Sequence, residues 1–162
     1  MKTITINLRE IKPGKNTFQV SSTADELELT DIEFKIIGNI QTEVNIYKNR
    51  SNYEMEIKST FKMLLFCSRC LDEFEEEFTQ KDHFYLKEGF ERVSEETTFS
   101  DEDAYTIFFN DDIIDISSLV REQVILSVPI KPLCSDTCKV PTYKKDEELD
   151  PRWQKLLDLF KK

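Results

Sequence analysis

Tyr53-Glu54-Met55-Glu56-Ile57-Lys58-Ser59-Thr60-Phe61-Lys62-Met63-Leu64-Leu65-Phe66-Cys67 is the stretch on which the fold turns. Tyr53, Met55, Ile57, Ser59, Phe61, Met63, Leu65 and Cys67 share one parity. Glu54, Glu56, Lys58, Thr60 and Lys62 share the other. Successive side chains of a strand point to opposite faces. Alternation sustained over this length predicts one long, half-buried strand in an antiparallel sheet. The strand runs straight into a cysteine, so the chemistry of that cysteine belongs to a strand end.

Toward the N-terminus, residues 3–8 read as a short strand and Ile11-Lys12-Pro13-Gly14 as a turn. Leu27, Leu29, Ile32, Phe34 and Ile36 predict a strand over 26–37. Gly38-Asn39 is then a hairpin turn, and Ile40, Val44 and Ile46 mark a strand over 40–48 before a polar turn at 48–52. Beyond the cysteine, Phe74, Phe78 and Phe84-Tyr85-Leu86 predict a returning strand over 74–87. These aromatics suit either base stacking or a sheet core, and the core is the expectation.

Residues 88–103 form an acidic surface loop: Glu88, Glu91, Glu95, Glu96, Asp101, Glu102 and Asp103 face a single Arg92. A strand is expected at 104–109, and after it the period changes. Ile116, Leu119, Val120, Gln123, Val124 and Ser127 lie at helical spacing behind Asp115, a candidate N-cap, which predicts a helix over 116–127 that ends at Pro129. After a charged linker at 144–148, Asp150-Pro151 opens a second helix over 151–161, with Trp153, Leu156, Leu157 and Phe160 as its apolar stripe. The expected class is α+β: an antiparallel sheet over residues 1–109, barrel-like if it closes, followed by two short helices. One domain takes residues 1–140, and linker and helix take 141–162.

The four cysteines form two tight pairs, Cys67-Ser-Arg-Cys70 and Cys134-Ser-Asp-Thr-Cys138. C-x2-C with C-x3-C can set four thiolates around one tetrahedral Zn²⁺, with bonds of about 2.3 Å. Such an ion would staple the sheet to the C-terminal part. Three other readings stand beside it: reduced cysteines without metal, disulfides in one of three connectivities, and a redox-active C-x-x-C. The chain start has no apolar core of a secretory signal. A cytoplasmic setting with reduced thiols is therefore expected. The acidic run Asp72-Glu73-Phe74-Glu75-Glu76-Glu77 follows Cys70 directly. Negative charge raises a thiol pKa, which suits a redox nucleophile poorly.

The formal net charge is −10, with 33% charged residues. This works against binding nucleic acid by bulk electrostatics and fits a basic partner such as a ribosomal protein. Only the start leans basic, with Lys2, Arg9, Lys12 and Lys15 against Glu10. No apolar run is long enough to cross a bilayer. His83 is the single histidine, there is no glycine-rich phosphate loop, and the carboxylates form charge runs with no sign of an acid–base pair. A four-thiolate zinc ion has no open position for water. The expectation is a protein that is not an enzyme and takes no small-molecule substrate.

Two stretches carry a resemblance. Cys67-Ser68-Arg69-Cys70-Leu71-Asp72 ends a strand, and Asp115-Ile116-Ser117-Ser118-Leu119-Val120-Arg121-Glu122-Gln123-Val124-Ile125-Leu126-Ser127-Val128-Pro129 leads into Lys131-Pro132-Leu133-Cys134. Together, with the acidic loop between them and the Asp150-Pro151-Arg152-Trp153 tail, they resemble the YceD-like family of large ribosomal RNA subunit accumulation proteins. The resemblance implies a part in accumulating large-subunit (23S) ribosomal RNA, through precursor rRNA or a pre-ribosomal particle, with no catalytic activity. The alternative is a zinc-stapled acidic module that holds a basic ribosomal protein or another assembly factor. The residues carried over are Cys67, Cys70, Cys134 and Cys138, Arg69, and the Arg121-Glu122 pair. Many family members continue into a further cysteine-rich segment, whereas this chain reads Cys138-Lys139-Val140-Pro141 with no more cysteine. Zinc therefore does not follow from kinship alone. Four thiolates and Zn²⁺ sum to −2, so nearby cations are needed. Arg69, Arg121 and Lys139 are the candidates, with RNA phosphate as the competing use of these residues.

Overall fold

The structure, a computed structural model, describes residues 3–30, 34–50, 52–89 and 105–141. The helix expected over 151–161, its linker and nearly all of the acidic loop lie outside the described residues. The decisive stretch forms a single strand, β4 (Asn52–Phe66). Met55, Ile57, Ser59, Phe61, Met63 and Leu65 are buried along one face, as the alternation requires.

Around β4 is an open five-stranded sheet in the order β2-β3-β4-β5-β6, made of β2 (Gly14–Ser22), β3 (Lys35–Asn49), β4, β5 (Glu73–Glu88) and β6 (Thr106–Phe109). The first three pairings are antiparallel, and β6 joins β5 in parallel. β1 (Thr5–Asn7) pairs with β7 (Ile113–Asp115) in a separate two-stranded sheet. The sheet does not close into a barrel, because β2 and β6 are edges that pair with no further strand among the described residues.

Several sequence expectations are corrected. Gly38-Asn39 is not a hairpin turn. It is a bulge inside β3, where the four steps from Ile37 to Gln41 oppose two steps from Lys62 to Thr60. The surplus is even, so the buried face is the same on both sides of the bulge. Gly38 takes the left-handed φ of +74° that the bulge needs. Of the strand predicted over 26–37, residues 31–33 lie outside the described residues, β3 supplies the part from Lys35, and residues 24–28 form turns that drop Leu27 and Leu29 into the core. β2 was not anticipated, since its half-buried face offers only Phe18 and Val20 as large apolar side chains. β7 was hidden in the same way by its three-residue length.

One α-helix, α1 (Ser117–Leu126), is present among the described residues, where two helices were expected over the whole chain. Its N-cap is Ile116. Asp115 stands one residue earlier, but its carboxylate accepts from the Ser117 N–H at 2.9 Å and does the work of a cap. Val120 and Val124 are fully buried against the inner sheet face. The core joins them to Ile36, Ile40, Val44 and Ile46 of β3, the buried row of β4, and Ile4, Ile6, Leu8 and Ile114. Each such side chain stabilises the fold by about 1.5–3 kcal/mol on burial. Phe74, Phe78 and Phe84 pack against this cluster, and Phe78 stacks on Phe61 at 6.1 Å, so these rings serve the core.

A polar seam crosses the helix–sheet contact. Gln123 accepts from Ser59 at 2.6 Å and donates to the Ile57 carbonyl at 3.1 Å and to Asp82 at 2.7 Å. Ser59 also meets Thr42 at 3.2 Å. Gln123 sits on the apolar stripe by periodicity, and every one of its buried polar atoms is satisfied.

Candidate metal centre

β4 ends at Phe66, and the chain turns back through Cys67–Asp72 into β5. Cys67 N–H donates to the Asp72 carbonyl and Leu71 N–H to the Cys67 carbonyl, both at 2.9 Å. Leu71 closes this turn at φ +67°. The second pair reaches the same corner because α1 stops at Leu126 and the chain from Val128 onward carries Pro129 and Pro132, which cannot extend a helix. Ser68 N–H then donates to the Pro132 carbonyl at 2.8 Å and fixes one loop against the other.

All four Sγ atoms lie within 4.8 Å of one another. Cys67 and Cys138 are 3.6 Å apart, and Cys70 and Cys134 are 3.4 Å apart. A tetrahedron with metal–sulfur bonds of about 2.3 Å has edges of about 3.8 Å. A disulfide needs about 2.05 Å, and all four cysteines are free. Cys67 is fully buried, Cys70 and Cys138 are half-buried, and Cys134 is exposed. The corner therefore has one inner and one outer side.

The electrostatics are those of sulfurs sharing one small space. Cys67 is lowered to about 5 by the backbone N–H groups of Cys70, Cys134 and Arg69, which outweigh its burial. Arg69 N–H approaches Cys67 Sγ at 3.4 Å. Cys134 is pushed up to about 12, first by the Cys70 side chain and then by burial. For Cys70, the Asp72 N–H draws the pKa down, but burial and the Cys67 side chain carry it up. Hydrogen bonds gather on Cys67, while Cys70 and Cys134 are biased toward their protonated forms. A divalent cation among the four would displace those protons. Soft, all-sulfur donors in a tetrahedral array fit Zn²⁺.

Arg69 reaches across the corner. Its Nη1 donates to the Asp136 carbonyl at 2.7 Å and the Cys138 carbonyl at 3.2 Å, so it clamps the main chain of the second pair. Arg121 makes no such contact among the described residues. No hydrogen bond joins it to the cysteines, and its Nε is buried without a partner among the described residues. Lys139 follows Cys138 and is exposed, and Glu122 is exposed on α1. Of the three cations, only Arg69 is seen to touch the cysteine loops. Its acceptors are backbone carbonyls, which no sequence pattern marks. His83 lies on β5 at 3.5 Å from Glu54, away from this corner.

No helix among the described residues is long and apolar enough to cross a membrane. No curated protein and no solved structure matches the chain. A family model described as large ribosomal RNA subunit accumulation protein YceD matches residues 55–160, which run from the long strand through both cysteine pairs into the tail and make up well over half of the chain. By that match the chain belongs to the YceD family of large ribosomal RNA subunit accumulation proteins.

Proposed function

We propose that this protein is a non-enzymatic, cytoplasmic ribosome-biogenesis factor. It supports accumulation of 23S ribosomal RNA by binding precursor rRNA or a large-subunit assembly intermediate. The family match across residues 55–160 carries this reading. In it, Cys67, Cys70, Cys134 and Cys138 hold one structural Zn²⁺, which ties the end of β4 to the segment after α1. The close approach of the four sulfurs supports that assignment. Zinc here supplies a cross-link and no reactive position. Arg69 orients the second pair by holding its carbonyls, and its charge offsets part of the −2 of a Zn–thiolate centre.

Elemental analysis of chain purified without added metal tests the centre. About one zinc per chain is expected. Absence of metal, with four thiols titratable in the native state, would remove the staple. Gradient sedimentation of cell extract tests the role. The chain should travel with large-subunit precursors, and its deletion should lower mature large-subunit rRNA relative to small-subunit rRNA.

A further inference from the structure

A chain of charge −10 needs a local reversal of sign to hold an RNA backbone. The fold gathers cations without ion pairs at the end of β4 away from the cysteines, about 45 Å along the strand at ~3.3 Å per residue. The β2–β3 register sets Gly14 beside Lys48 and Lys15 beside Tyr47, and the β3–β4 turn adds Arg50. Lys12, Lys15 and Arg50 are exposed, and Lys48 is half-buried. Lys15 and Tyr47 lie on the outer face of the sheet and Lys48 on the inner face, so the outer side of this rim carries Lys15 and Tyr47, with Lys12 and Arg50 at the adjoining strand ends.

The rim is held in place. Asn16 accepts from Lys12 N–H at 3.1 Å and donates to the Lys12 carbonyl at 2.7 Å. Lys48 Nζ donates to the Ile11 carbonyl at 3.3 Å and lies 5.2 Å from the Tyr53 ring centre. Lys15 Nζ lies 5.8 Å from the ring centre of Tyr47, which is 38% exposed. None of these four cations is ion-paired among the described residues. Four acids nearby have other partners: Asp112 holds Arg9, Glu10 accepts from Asn7, Glu54 faces His83, and Glu56 holds Lys81, while Glu88 stands exposed at the same end of the sheet.

Arg50 adds a second, independent sign. It sits at φ +54°, in the left-handed region that glycine or asparagine fills at lower cost. An arginine kept there at the expense of backbone strain points to a use for its charge. We propose that Lys12, Lys15 and Arg50 grip the phosphate backbone of single-stranded RNA, with the Tyr47 ring as a stacking platform for a base. The proposal rests on the ribosomal reading and names the RNA surface of that role. The rim lies outside the stretch matched by the family model.

The test is fluorescence anisotropy of the full chain with a labelled poly(U) oligonucleotide over a range of salt. The double variant Lys15→Gln, Arg50→Asn should bind at least about tenfold more weakly at low salt. Its slope of log K against log salt should shrink by about 1.4, or ~0.7 per lost phosphate contact on a single strand. Its melting temperature should hold or rise, because asparagine relieves the turn. Lys131→Gln, Lys139→Gln, at the cysteine end, should leave the slope as it was. Equal binding by wild type and the rim variant overturns the proposal, as does a larger loss in the cysteine-end variant. Wild type that ignores poly(U), yet stays with large-subunit precursors after ribonuclease, also overturns it and assigns the contact to protein. Rim-dependent binding without any precursor association would sustain the surface and sink the ribosomal reading instead.

Discussion

The backbone N–H of Ser68 donates to the carbonyl of Pro132 at 2.8 Å, so main chain already joins the two cysteine loops where the sulfurs meet. Arg69 adds two more bonds across the same gap. The buried cluster of β3, β4 and α1 is an apolar core to which none of the four cysteines belongs. Chelation should therefore loosen one corner and leave the sheet standing. A cross-link closing a loop of this size is worth roughly 4.4 kcal/mol in the chain-entropy account. The surviving hydrogen bonds retain part of it, so a melting-temperature fall of about 5–10 °C is expected. Far-UV circular dichroism should stay near native. Complete unfolding on chelation would show that zinc organises the core itself.

Arg69 donates to two carbonyls that belong to the opposite loop. Arg69→Ala strands both acceptors and should cost about 1–2 kcal/mol. Zinc affinity should fall about tenfold or more, as it does when groups that orient metal ligands are lost. Competition with a chromophoric chelator reads the affinity. RNA affinity at full zinc loading should stay at the wild-type value. A selective loss of RNA binding with metal affinity intact would return Arg69 to the phosphate-binding role.

What the sequence made legible depended on how many residues carried each signal. The long alternation of β4 displays its buried row without ambiguity, and the cysteine spacing foretold a shared corner between a strand end and the segment after the helix. The bulge at Gly38 looked like a turn because a glycine at positive φ serves both, and only the pairing of Ile37 and Gln41 with β4 separates them. Arg121 was a candidate for offsetting the thiolate charge or for binding phosphate, and its Nε is buried without a partner among the described residues. The basic rim was invisible because Lys15 and Tyr47 become neighbours only through the β2–β3 register.

Glu56 and Lys81 face each other on the solvent side of β4 and β5 at 2.8 Å. The hydrogen bond from Lys81 lowers the Glu56 pKa, and the same bond raises that of Lys81. A lowered carboxyl contributes stability above its unfolded value and loses it as pH falls through the folded value. A raised amine contributes fully below its unfolded value and loses it as pH rises through the folded one. The stability gap between native chain and Lys81→Met should thus be widest between about pH 5 and pH 10. It should be small and shrink in high salt, because the pair is partly exposed. A gap that is constant from pH 3 to pH 11, on the order of the whole accessible range, would mean that packing of the lysine stem, and not charge, sets it.

Gln123 offers a sharper pH test because its amide is buried between α1 and the sheet. Its Nε2 donates to both the Ile57 carbonyl and the Asp82 carboxylate, while Ser59 donates to its Oε1. Gln123→Glu keeps the shape and the Ser59 contact but turns two donated bonds into oxygen facing oxygen. At neutral pH the new carboxylate should cost about 3 kcal/mol or more, as a buried charge beside a like charge. Burial and Asp82 both favour its protonated form, so its folded pKa lies above the ordinary value of about 4.3. The folded state then binds the extra proton more readily than the unfolded state, and stability of the variant must rise as pH falls from neutral toward that value. The urea midpoints of variant and native protein should lie closer together near pH 5 than at pH 7, values on the order of one unit above the ordinary carboxyl range and of neutrality. A gap equal at both values would show that the loss comes from altered packing and not from the lost amide donors.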